Sequence, residues 1–541
     1  MRSCVFACLV VVCYAEMFMV DPGPLYPPTK GEVWPKPQYE EKENILYKFD
    51  KAQFNFKVIG ETCVILLAAV VRYEKLLHQQ QDATRAIRRE LLRRNMRRRS
   101  RSFVTGLLQD INIELTKPCE AYPHLGMDES YNLTVEAESH LKSASIWGIL
   151  RGLETFAQLF YPSENYNGLL VNATEIYDFP RYAHRGLMLD TARHYVSVAN
   201  IKTNLDAMAM NKMNVFHWHI IDDQSFPYQS EAFPELSEKG AYHPTMVYTK
   251  ADIKEIVEYA RDRGIRVIPE IDVPGHTRSW GLAYPQVLTE CYNDNKIVGL
   301  GPMNPISNFT YKLLEDFLHE VQEWFPDEYY HLGGDEVDLE CWASNPYLLD
   351  YMLHYNVSSV AEFHTMFMER VLPILATRSQ AIVWQEVFDE YVPLPEDSLV
   401  QIWKSGWQKE MNNVLESGLG VIFSSEWYLS DVKLGGDWEK FYIFDPRLHV
   451  EDKTLLHKVV GGEACMWGEY IDDRNFISRV WPRASGIAER LWSYASLDWD
   501  KKDQEIDDME TMRQRIEEHA CRMVRRQVPA QPPNGPGFCV A

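Results

Sequence analysis

Residues 329–337 read YYHLGGDEV, a short apolar run that ends in two glycines and two adjacent acidic residues. An apolar run of this length, bounded by glycines, is typical of a buried β-strand. Seven other runs of the same kind follow residue 181, and most of them lead into polar or aromatic residues and then into a helical pattern. The eight predicted strands are 186–190, 214–220, 265–271, 329–333, 381–385, 398–403, 419–424 and 459–465.

Helical patterns separate these strands, which is the alternation expected of parallel strands joined by crossover helices. Eight buried strands in this order predict a (β/α)₈ TIM barrel over residues 181–541, with catalytic residues at the C-terminal ends of the strands. The clearest helical patterns are 200–213, 251–263, 308–325, 359–378 and 408–417.

The N-terminal part of the chain has a different pattern, in which strand-like and helix-like stretches are mixed. Residues 111–115 and 131–137 predict strands, and residues 64–77 and 143–160 predict helices with one apolar face. We therefore predict a smaller α/β domain over residues 16–180. A chain of 541 residues is long enough for two domains.

An arginine-rich insertion lies within this domain at about residues 85–101, which carry nine arginines. Such a run could bind nucleic acid or a membrane surface, or it could be an exposed insertion that trafficking proteases cut. The formal net charge of −23 argues against nucleic acid as a partner, because nucleic-acid-binding proteins present a basic surface. We favour the exposed insertion.

The first 15 residues are typical of a signal peptide, because Arg2 precedes an apolar run at 4–13 and Ala15 offers a small residue for cleavage. The run is too short to cross a bilayer and no later stretch is long enough, so we expect no stable membrane anchor. These features predict a lysosomal or secreted protein. Four N-x-S/T sequons agree with that route and predict glycosylation at Asn132, Asn172, Asn308 and Asn356.

The chain has ten cysteines, and seven remain when the three in the predicted signal peptide are set aside. An odd number in a secreted chain predicts disulfides and one free thiol. Cys465 lies within an apolar strand pattern and is the predicted free, buried cysteine. By spacing, the predicted pairs are Cys63 with Cys119, Cys291 with Cys341, and Cys521 with Cys539.

Asp335 and Glu336 follow the fourth predicted strand, and adjacent residues of a regular strand point to opposite faces. Gly333 and Gly334 allow the backbone to bend, so that both carboxyl groups can reach one pocket. Two adjacent carboxyl groups raise each other's cost of ionisation, and one of them can then stay protonated and act as a general acid. The alternative, a solvated loop, fits less well with the apolar strand that precedes the pair.

Acidic and aromatic residues also follow the other predicted strands. Tryptophan rings can stack on the C–H faces of a sugar while charged groups bind its hydroxyls, although any single tryptophan could equally belong to the core. The repetition of acidic and aromatic residues at strand ends predicts a pocket for a polyhydroxylated ring. The residues concerned are Asp190, Arg193, His194, Asp222, Asp223, Glu270, Asp272, His276, Trp384, Glu386, Trp403, Glu426, Trp427, Tyr428, Trp467 and Glu469.

His217 and His219 share one face of the second predicted strand and could bind a metal ion, as in barrel amidohydrolases. No later set of His, Lys and Asp residues completes such a site. We therefore predict neither a metal nor a cofactor, and we interpret the two histidines as rim or barrel-packing groups.

Five motifs together resemble the β-N-acetylhexosaminidases of glycoside hydrolase family 20, and among these the lysosomal hexosaminidase subunits of animals. The similarity runs from about residue 22 to the C-terminus and is weakest in the arginine-rich insertion. It implies a small N-terminal α/β domain packed against a catalytic (β/α)₈ barrel. The motifs are RGLMLDTARHY (185–195), NVFHWHIIDDQSFPY (214–228), EIDVPGHTRSWG (270–281), HLGGDEV (331–337) and GGEACMWGEY (461–470).

The resemblance implies release of terminal β-linked GlcNAc or GalNAc from glycans with retention of configuration. In that family the 2-acetamido oxygen of the substrate attacks the anomeric carbon. Glu336 would be the general acid and base, Asp335 would hold the acetamido N–H, and Tyr428 would donate to the acetamido oxygen. The residues that would bind or support the sugar are Arg193, Asp222, His276, Trp384, Trp403, Trp467 and Glu469.

The resemblance also implies a homo- or heterodimer, and two departures from the family pattern narrow the substrate. Relatives that accept sulfated sugars carry an arginine where this chain has Asp431, so we expect neutral sugars to be preferred. Residues 289–301 lack the loop that relatives use with a ganglioside-presenting activator. The main alternative is a non-catalytic sugar-binding protein on the same barrel, which would be expected to lack Asp335 or Glu336.

Overall fold

The computed structural model describes residues 26–94, 96, 104–431, 436–493 and 502–540. The predicted signal peptide lies outside these residues. The predicted domain division at residue 180 falls between two strands, one ending at Asp178 and the next beginning at His184, and its position stays a prediction.

The N-terminal part is an eight-stranded mixed sheet with two helices. Its strand order is β2-β4-β6-β5-β8-β1-β3, with β7 paired to β8. The elements are β1 (Tyr39–Phe49), β2 (Asn55–Gly60), α1 (Val64–Arg93), β3 (Gly106–Leu107), β4 (Asp110–Leu115), β5 (Tyr131–Val135), β6 (Glu138–Ser143), α2 (Ile146–Gln158), β7 (Tyr161–Pro162) and β8 (Leu169–Asp178).

Helix α2 connects this sheet to the rest of the molecule. It begins at Ser145, whose side chain accepts the Trp147 N–H, and every one of its 13 residues is buried. Arg151 donates to the backbone carbonyls of Arg263 and Gly264 at 3.0 and 2.7 Å, so a charged side chain satisfies buried acceptors across the contact.

Helix α1 is longer than the predicted helix at 64–77, because it continues to Arg93. No glycine or proline occurs between residues 77 and 93, and the Arg, Glu, Gln and Leu residues there have high helix propensity. The first half of the arginine-rich insertion is therefore the end of a helix. Residues 95 and 97–103 of that insertion lie outside the described residues.

The second part is a closed barrel of eight parallel strands, in the order β10-β11-β14-β15-β16-β17-β18-β9, which confirms the predicted fold. Each predicted strand overlaps an observed one. The barrel strands are β9 (His184–Asp190), β10 (Val215–His219), β11 (Arg266–Glu270), β14 (Tyr329–His331), β15 (Gln380–Trp384), β16 (Leu399–Ile402), β17 (Gly420–Phe423) and β18 (Val459–Met466), and a separate hairpin consists of β12 (Leu288–Asn293) and β13 (Lys296–Met303).

Helices and short 3₁₀ turns connect these strands, and within the described part of the chain three helices follow the last strand, β18. The 3₁₀ turns are Arg278–Leu282, Pro285–Val287, Pro446–His449 and Lys453–Lys458. The helices are α3 (Val198–Met210), α4 (Glu235–Gly240), α5 (Lys250–Arg261), α6 (Asn308–Trp324), α7 (Leu339–Ser344), α8 (Pro346–Tyr355), α9 (Glu362–Leu375), α10 (Gln385–Asp389), α11 (Trp407–Glu416), α12 (Trp438–Ile443), α13 (Phe476–Val480), α14 (Arg483–Trp492) and α15 (Lys502–Arg525).

Apolar side chains from alternate strand positions fill the end of the barrel where the strands begin. All of them are buried, and they form one cluster, as expected for a packed barrel interior. This cluster, called here the lower layer, consists of Val215, Ile268, Tyr329, Ile382, Leu399 and Ile422.

Three disulfides and one free cysteine account for the cysteines of the described residues. The disulfides join Cys63 to Cys119, Cys291 to Cys341, and Cys521 to Cys539, which are the pairs that spacing predicts. The second disulfide ties the β12–β13 hairpin to α7. Cys465 is free and buried.

The sequon asparagines differ in exposure. Asn132, Asn308 and Asn356 are exposed, whereas Asn172 is half-buried in β8 and its amide donates to the Glu43 carbonyl at 2.7 Å. Glycosylation stays a prediction at all four positions. Within the described residues, no helix combines the length and apolar character needed to cross a membrane.

Candidate active site

The acidic pair lies at the C-terminal end of β14, where two glycines bend the chain. Gly333 and Gly334 have φ angles of 65° and 97°, a region that favours glycine. A Cβ atom on Gly333 would lie 1.8 Å from the Asp272 Oδ1 atom, and the Gly334 N–H donates to that oxygen at 2.8 Å. The bend sends Asp335 into the protein and leaves Glu336 exposed at the rim.

The Glu336 side chain lines a cavity of about 290 Å³ at the rim of the barrel. Its side chain is 60% exposed, whereas that of Asp335 is 8% exposed. The cavity is lined by Gly334, Glu336, Val337, His364, Glu386, Glu390, Trp403 and Lys404. A larger cavity of about 470 Å³ lies at the opposite end of the barrel, beside the starts of β15 and β16, and holds none of the predicted site residues.

His276 connects the acidic pair to other carboxylates. Its Nε2 atom lies 3.6 Å from Glu336 Oε2 and 3.7 Å from Asp335 Oδ2. On the other side of the ring, Nδ1 lies 3.3 Å from Asp222 Oδ1. Although burial opposes it, the charge of Asp272 and the contacts with the other carboxylates raise the pKa of His276 far above its ordinary value. The surrounding carboxylates therefore favour the imidazolium form of the ring.

The two acids of the pair have opposite pKa shifts. Burial raises the pKa of Asp335 to about 6; His276 opposes this rise, and the charges of Glu270 and Glu386 add to it. The contact with the charged His276 ring lowers the pKa of Glu336. In the free site Asp335 therefore holds a proton more tightly than Glu336 does. The acid with the raised pKa is thus the buried residue, and the main cause is burial and not repulsion from its neighbour.

The predicted aromatic residues lie together beside this pair. Trp384 and Trp467 have ring centroids 6.0 Å apart, and those of Trp403 and Tyr428 are 6.2 Å apart. These four side chains pack around the buried Met188 and Cys465. Burial raises the pKa of Tyr428 well above its ordinary value, so its hydroxyl keeps its proton and can donate it in a hydrogen bond.

Carboxylates hold Arg193 at the same rim. Its Nη1 atom lies 3.1 Å from Asp190 Oδ2 and 2.9 Å from Asp222 Oδ2, and its guanidinium lies over the Trp467 ring at 4.9 Å. Glu469 is exposed, and its charge contributes to the raised pKa of Arg193. A side chain fixed in this way presents its remaining donors in a constant geometry.

The two histidines of β10 lie inside the barrel and not at its rim. His217 and His219 are at most 1% exposed. His217, Glu270 and His331 have ligand atoms within 4.8 Å of one another and could surround an ion. However, both ring nitrogens of His217 already face carboxylates, at 2.8 Å from Glu463 and 3.0 Å from Glu270. The group is therefore a self-paired ionic cluster.

Some residues of the site have no assigned role in the sequence-based interpretation. Asp272 fixes the glycine bend, and Glu386 accepts the Trp403 Nε1–H at 2.9 Å while pairing with Lys404 at 2.9 Å. Asp272 and Glu386 follow strands directly, so the strand-end signal covers them. Lys404 follows a tryptophan and is not distinguished by that signal.

The comparisons with known proteins agree with this geometry. The family model described as glycosyl hydrolase family 20, catalytic domain, matches residues 182–495. A second model, described as beta-acetyl hexosaminidase like, matches residues 33–159.

Curated relatives and solved structures match over most of the chain. The β-hexosaminidase subunit beta of Homo sapiens is 46% identical over 434 residues, which cover 79% of this chain and 76% of that protein. The β-hexosaminidase subunit alpha of Bos taurus is 40% identical over 523 residues, with 94% of each chain covered. The structure of a chitobiase from Flavobacterium johnsoniae has a TM-score of 0.75 at 29% identity, covering 92% of this chain and 73% of that chain.

A barrel with an acidic pair and a tryptophan-lined rim, together with these matches, defines a glycoside hydrolase. The chain belongs to glycosyl hydrolase family 20 and is an enzyme of the β-N-acetylhexosaminidase class.

Proposed function

We propose that the enzyme removes terminal, non-reducing β-linked GlcNAc or GalNAc from glycans with retention of configuration, and that Glu336 is its general acid and base. The observation that carries this proposal is the asymmetry of the acidic pair. Glu336 is exposed to a cavity, whereas its neighbour Asp335 is buried behind it, and His276 lies within 4 Å of both. One acid can thus meet the leaving oxygen while the other holds a different part of the sugar.

In the proposed mechanism the acetamido oxygen of the substrate attacks the anomeric carbon as Glu336 protonates the leaving oxygen. Asp335 accepts a hydrogen bond from the acetamido N–H, and Tyr428 donates one to the acetamido oxygen. Water activated by Glu336 then opens the cyclic intermediate. Trp384, Trp403 and Trp467 would line the acetamido pocket, where exclusion of water strengthens these polar contacts.

Substrate binding would reverse the proton distribution of the free site. A sugar that covers Glu336 removes water from its carboxyl group, which raises the pKa of that group. An acetamido N–H donated to Asp335 favours the ionised form of that acid and lowers its pKa. The two changes would move the more tightly held proton from Asp335 to Glu336, which is the state that general acid catalysis requires.

The exo specificity would come from Arg193 and Glu469, which we propose bind hydroxyls at the non-reducing end. Arg193 is held by carboxylates on one side, so it can close one end of the pocket with little loss of side-chain freedom. Asp222 and His276 would support this end without contacting the leaving group.

Glu336→Gln tests the proposal on an aryl β-N-acetylglucosaminide. We expect kcat to fall by about 10²–10⁴-fold, the usual contribution of a positioned acid, with KM nearly unchanged. Glu340→Gln is the matched control, because Glu340 is also exposed and lies four residues away on α7. Retention of activity by Glu336→Gln would contradict the assignment, and loss of wild-type activity with a chelator would favour the metal-dependent alternative.

We also propose that neutral sugars are preferred, because Asp431 would repel a 6-sulfate. Asp431 is exposed and follows Ser430, which lines a small depression together with Trp467 and Glu469. Turnover of neutral and 6-sulfated aryl substrates by the wild type checks this. Faster turnover of the sulfated substrate would refute it.

The biological setting is a further part of the proposal. The predicted signal peptide and sequons support a lysosomal or secreted enzyme, with glycoproteins, glycolipids or chito-oligosaccharides as substrates. Relatives named as subunits alpha and beta support a homo- or heterodimer. Sedimentation of the purified, secreted protein would measure its oligomeric state.

A further inference from the structure

A chain of buried histidines and carboxylates runs through the barrel interior above the lower layer. Barrel interiors are usually filled with branched apolar side chains. Here three interior strands, β10, β11 and β18, instead contribute His217, His219, Glu270 and Glu463, each at most 1% exposed. Ionisable groups are rarely buried so completely unless they are paired, so each of these side chains is expected to have a partner of opposite charge.

These side chains contact one another in sequence toward the active-site rim. Glu463 Oε2 lies 2.8 Å from His217 Nδ1, and His217 Nε2 lies 3.0 Å from Glu270 Oε2. Glu270 Oε2 lies 2.6 Å from His219 Nδ1, and His219 Nε2 lies 2.6 Å from Asp222 Oδ2. Asp222 is the carboxylate that contacts both Arg193 and His276, so the ionic chain ends at the proposed catalytic groups.

The contacts determine the protonation of the two histidines. A carboxylate oxygen only accepts hydrogen bonds, and both ring nitrogens of His217 and of His219 face carboxylates. The His219 ring hydrogen-bonds Glu270 and Asp222 through its two nitrogens, and it can donate from both only as an imidazolium. The His217 ring hydrogen-bonds Glu463 through Nδ1 and has Nε2 within ion-pair distance of Glu270. Although burial opposes it, Glu463 and Glu270 raise the pKa of His217 to about 9, and Glu270 and Asp222 raise that of His219 well above its ordinary value.

Charges therefore alternate along the chain, from anionic Glu463 through cationic His217, anionic Glu270 and cationic His219 to anionic Asp222. An alternating arrangement leaves each buried charge with an opposite neighbour, which offsets the desolvation cost of the whole set. Removing one member leaves the next one without its counter-charge. Asp222 would feel the loss of His219 directly.

Glu270 also has a second connection to the site. Its Oε1 atom accepts the Trp384 Nε1–H at 2.7 Å, and Trp384 is a proposed wall of the acetamido pocket. Next to it, the His331 ring accepts the Gly333 N–H at 3.0 Å through Nδ1, at the bend that carries the acidic pair. Glu270 thus lies between the pocket wall and the ionic chain.

We propose that Glu270 and His219 are positioning residues of the reaction, which hold Asp222 anionic and fixed so that His276 stays aligned with Glu336 during proton transfer. This inference rests on the proposed function, because it takes Glu336 as the acid. Neither residue is expected to touch the sugar. Their effect is transmitted through Asp222 and, for Glu270, also through Trp384.

His184 offers a matched comparison within the same interior. It is fully buried, and its Nε2 atom lies 2.6 Å from Glu463 Oε1, so it also pairs with a buried carboxylate. It lies at the other end of the ionic chain, where Glu463, His217, Glu270 and His219 separate it from Asp222, and among the described residues no direct ion pair joins the two. A purely structural role for buried histidines predicts the same consequences for His184 and His219.

The experiment compares His219→Gln with His184→Gln on two substrates. One is N,N′-diacetylchitobiose, whose leaving sugar must be protonated, and the other is a 2,4-dinitrophenyl β-N-acetylglucosaminide, whose leaving group departs without a proton. For His219→Gln we expect kcat on the disaccharide to fall about 10²-fold, the loss that misplacement of a catalytic group causes. On the dinitrophenyl substrate we expect kcat to change by less than about threefold. KM should be nearly unchanged on both substrates, as for loss of an interaction made only in the transition state.

The ratio of the two kcat values decides the outcome, because the fraction of folded enzyme cancels within one preparation. We expect this ratio to change in His219→Gln and in Glu270→Gln, which keeps an acceptor for Trp384, and to stay at the wild-type value in His184→Gln. An unchanged ratio in the first two variants, or the same change in all three, would overturn the inference. Glu336→Gln is measured in parallel: if its ratio changes and that of His219→Gln does not, only this inference fails, and if Glu336→Gln keeps full activity, the proposed function fails.

Discussion

The two ends of the barrel interior are built from different chemistry. Where the strands begin, the lower layer is an apolar cluster that includes Ile382 and Leu399. A few residues further toward the C-terminal ends of the strands, the interior holds a buried ionic chain centred on Glu270. We infer that one barrel serves two purposes: the apolar end stabilises the fold, and the polar end would hold the proposed catalytic side chains.

The largest effect is expected at the glycine bend on the polar end. In Gly333→Ala the new Cβ would lie 1.8 Å from Asp272 Oδ1 at a φ of 65°, so either the bend or the Asp272 carboxylate that accepts the Gly334 N–H must move. We expect kcat to fall by about 10²–10⁴-fold, as for loss of a positioned acid. Gly126→Ala is the control, since Gly126 has a similar φ of 79° and no atom lies within 4 Å of the place that its new Cβ would take. Equal activity in the two variants would contradict the role given to the bend.

Truncations in the two ends separate stability from activity. Leu399→Ala in the lower layer removes buried apolar volume and is expected to destabilise the fold by about 2–5 kcal/mol with kcat unchanged. Met188→Ala at the polar end is expected to lower stability similarly and kcat as well, because Met188 packs against Trp384 and Cys465. Chemical denaturation measures the free energy of unfolding of both variants, and steady-state kinetics measure their kcat. Loss of kcat in Leu399→Ala would contradict the separate roles of the two ends.

The smallest effect concerns the pH dependence of stability. Burial raises the pKa of Asp335 to about 6 from an ordinary value of 3.8, so the folded state binds this proton more tightly than the unfolded state does. The stabilising contribution is present at low pH and is lost as the pH rises through about 6. Between pH 5 and pH 7 this amounts to about 1 kcal/mol, or about 1 °C in Tm for a chain of this length.

We therefore expect the gain in Tm on going from pH 7 to pH 5 to be smaller in Asp335→Asn than in the wild type. Asp294→Asn, at an exposed turn between β12 and β13, should keep the wild-type gain. An equal gain in all three proteins would show that Asp335 does not hold the proton.

Much of the fold follows from local patterns. The eight apolar runs correspond to the eight barrel strands because a strand buried on both faces needs a largely apolar segment, which remains visible in the sequence. The predicted end of α1 at residue 77 is wrong. That end is placed where the apolar periodicity stops. The helix continues to Arg93 on helix propensity, which that criterion does not detect.

The candidate site is less accessible to such reasoning. Residues at strand ends point to a rim, and the resemblance to a known family implies roles for them, but neither indicates how the acidic pair is protonated. His217 and His219 lie in the interior because their face of β10 points into the barrel. Their charge partners Glu463 and Glu270 belong to other strands. Contacts of this kind join residues far apart in the chain.

Apolar periodicity, residue spacing and strand ends are local properties, and they were enough to predict the barrel, the cysteine pairs and the set of residues that gather at one rim. Local patterns do not indicate which acid of the pair is buried, which one faces the cavity, or how the interior charges alternate. The physical reason is that burial and charge pairing depend on distances between strands, and those distances exist only once the barrel has closed.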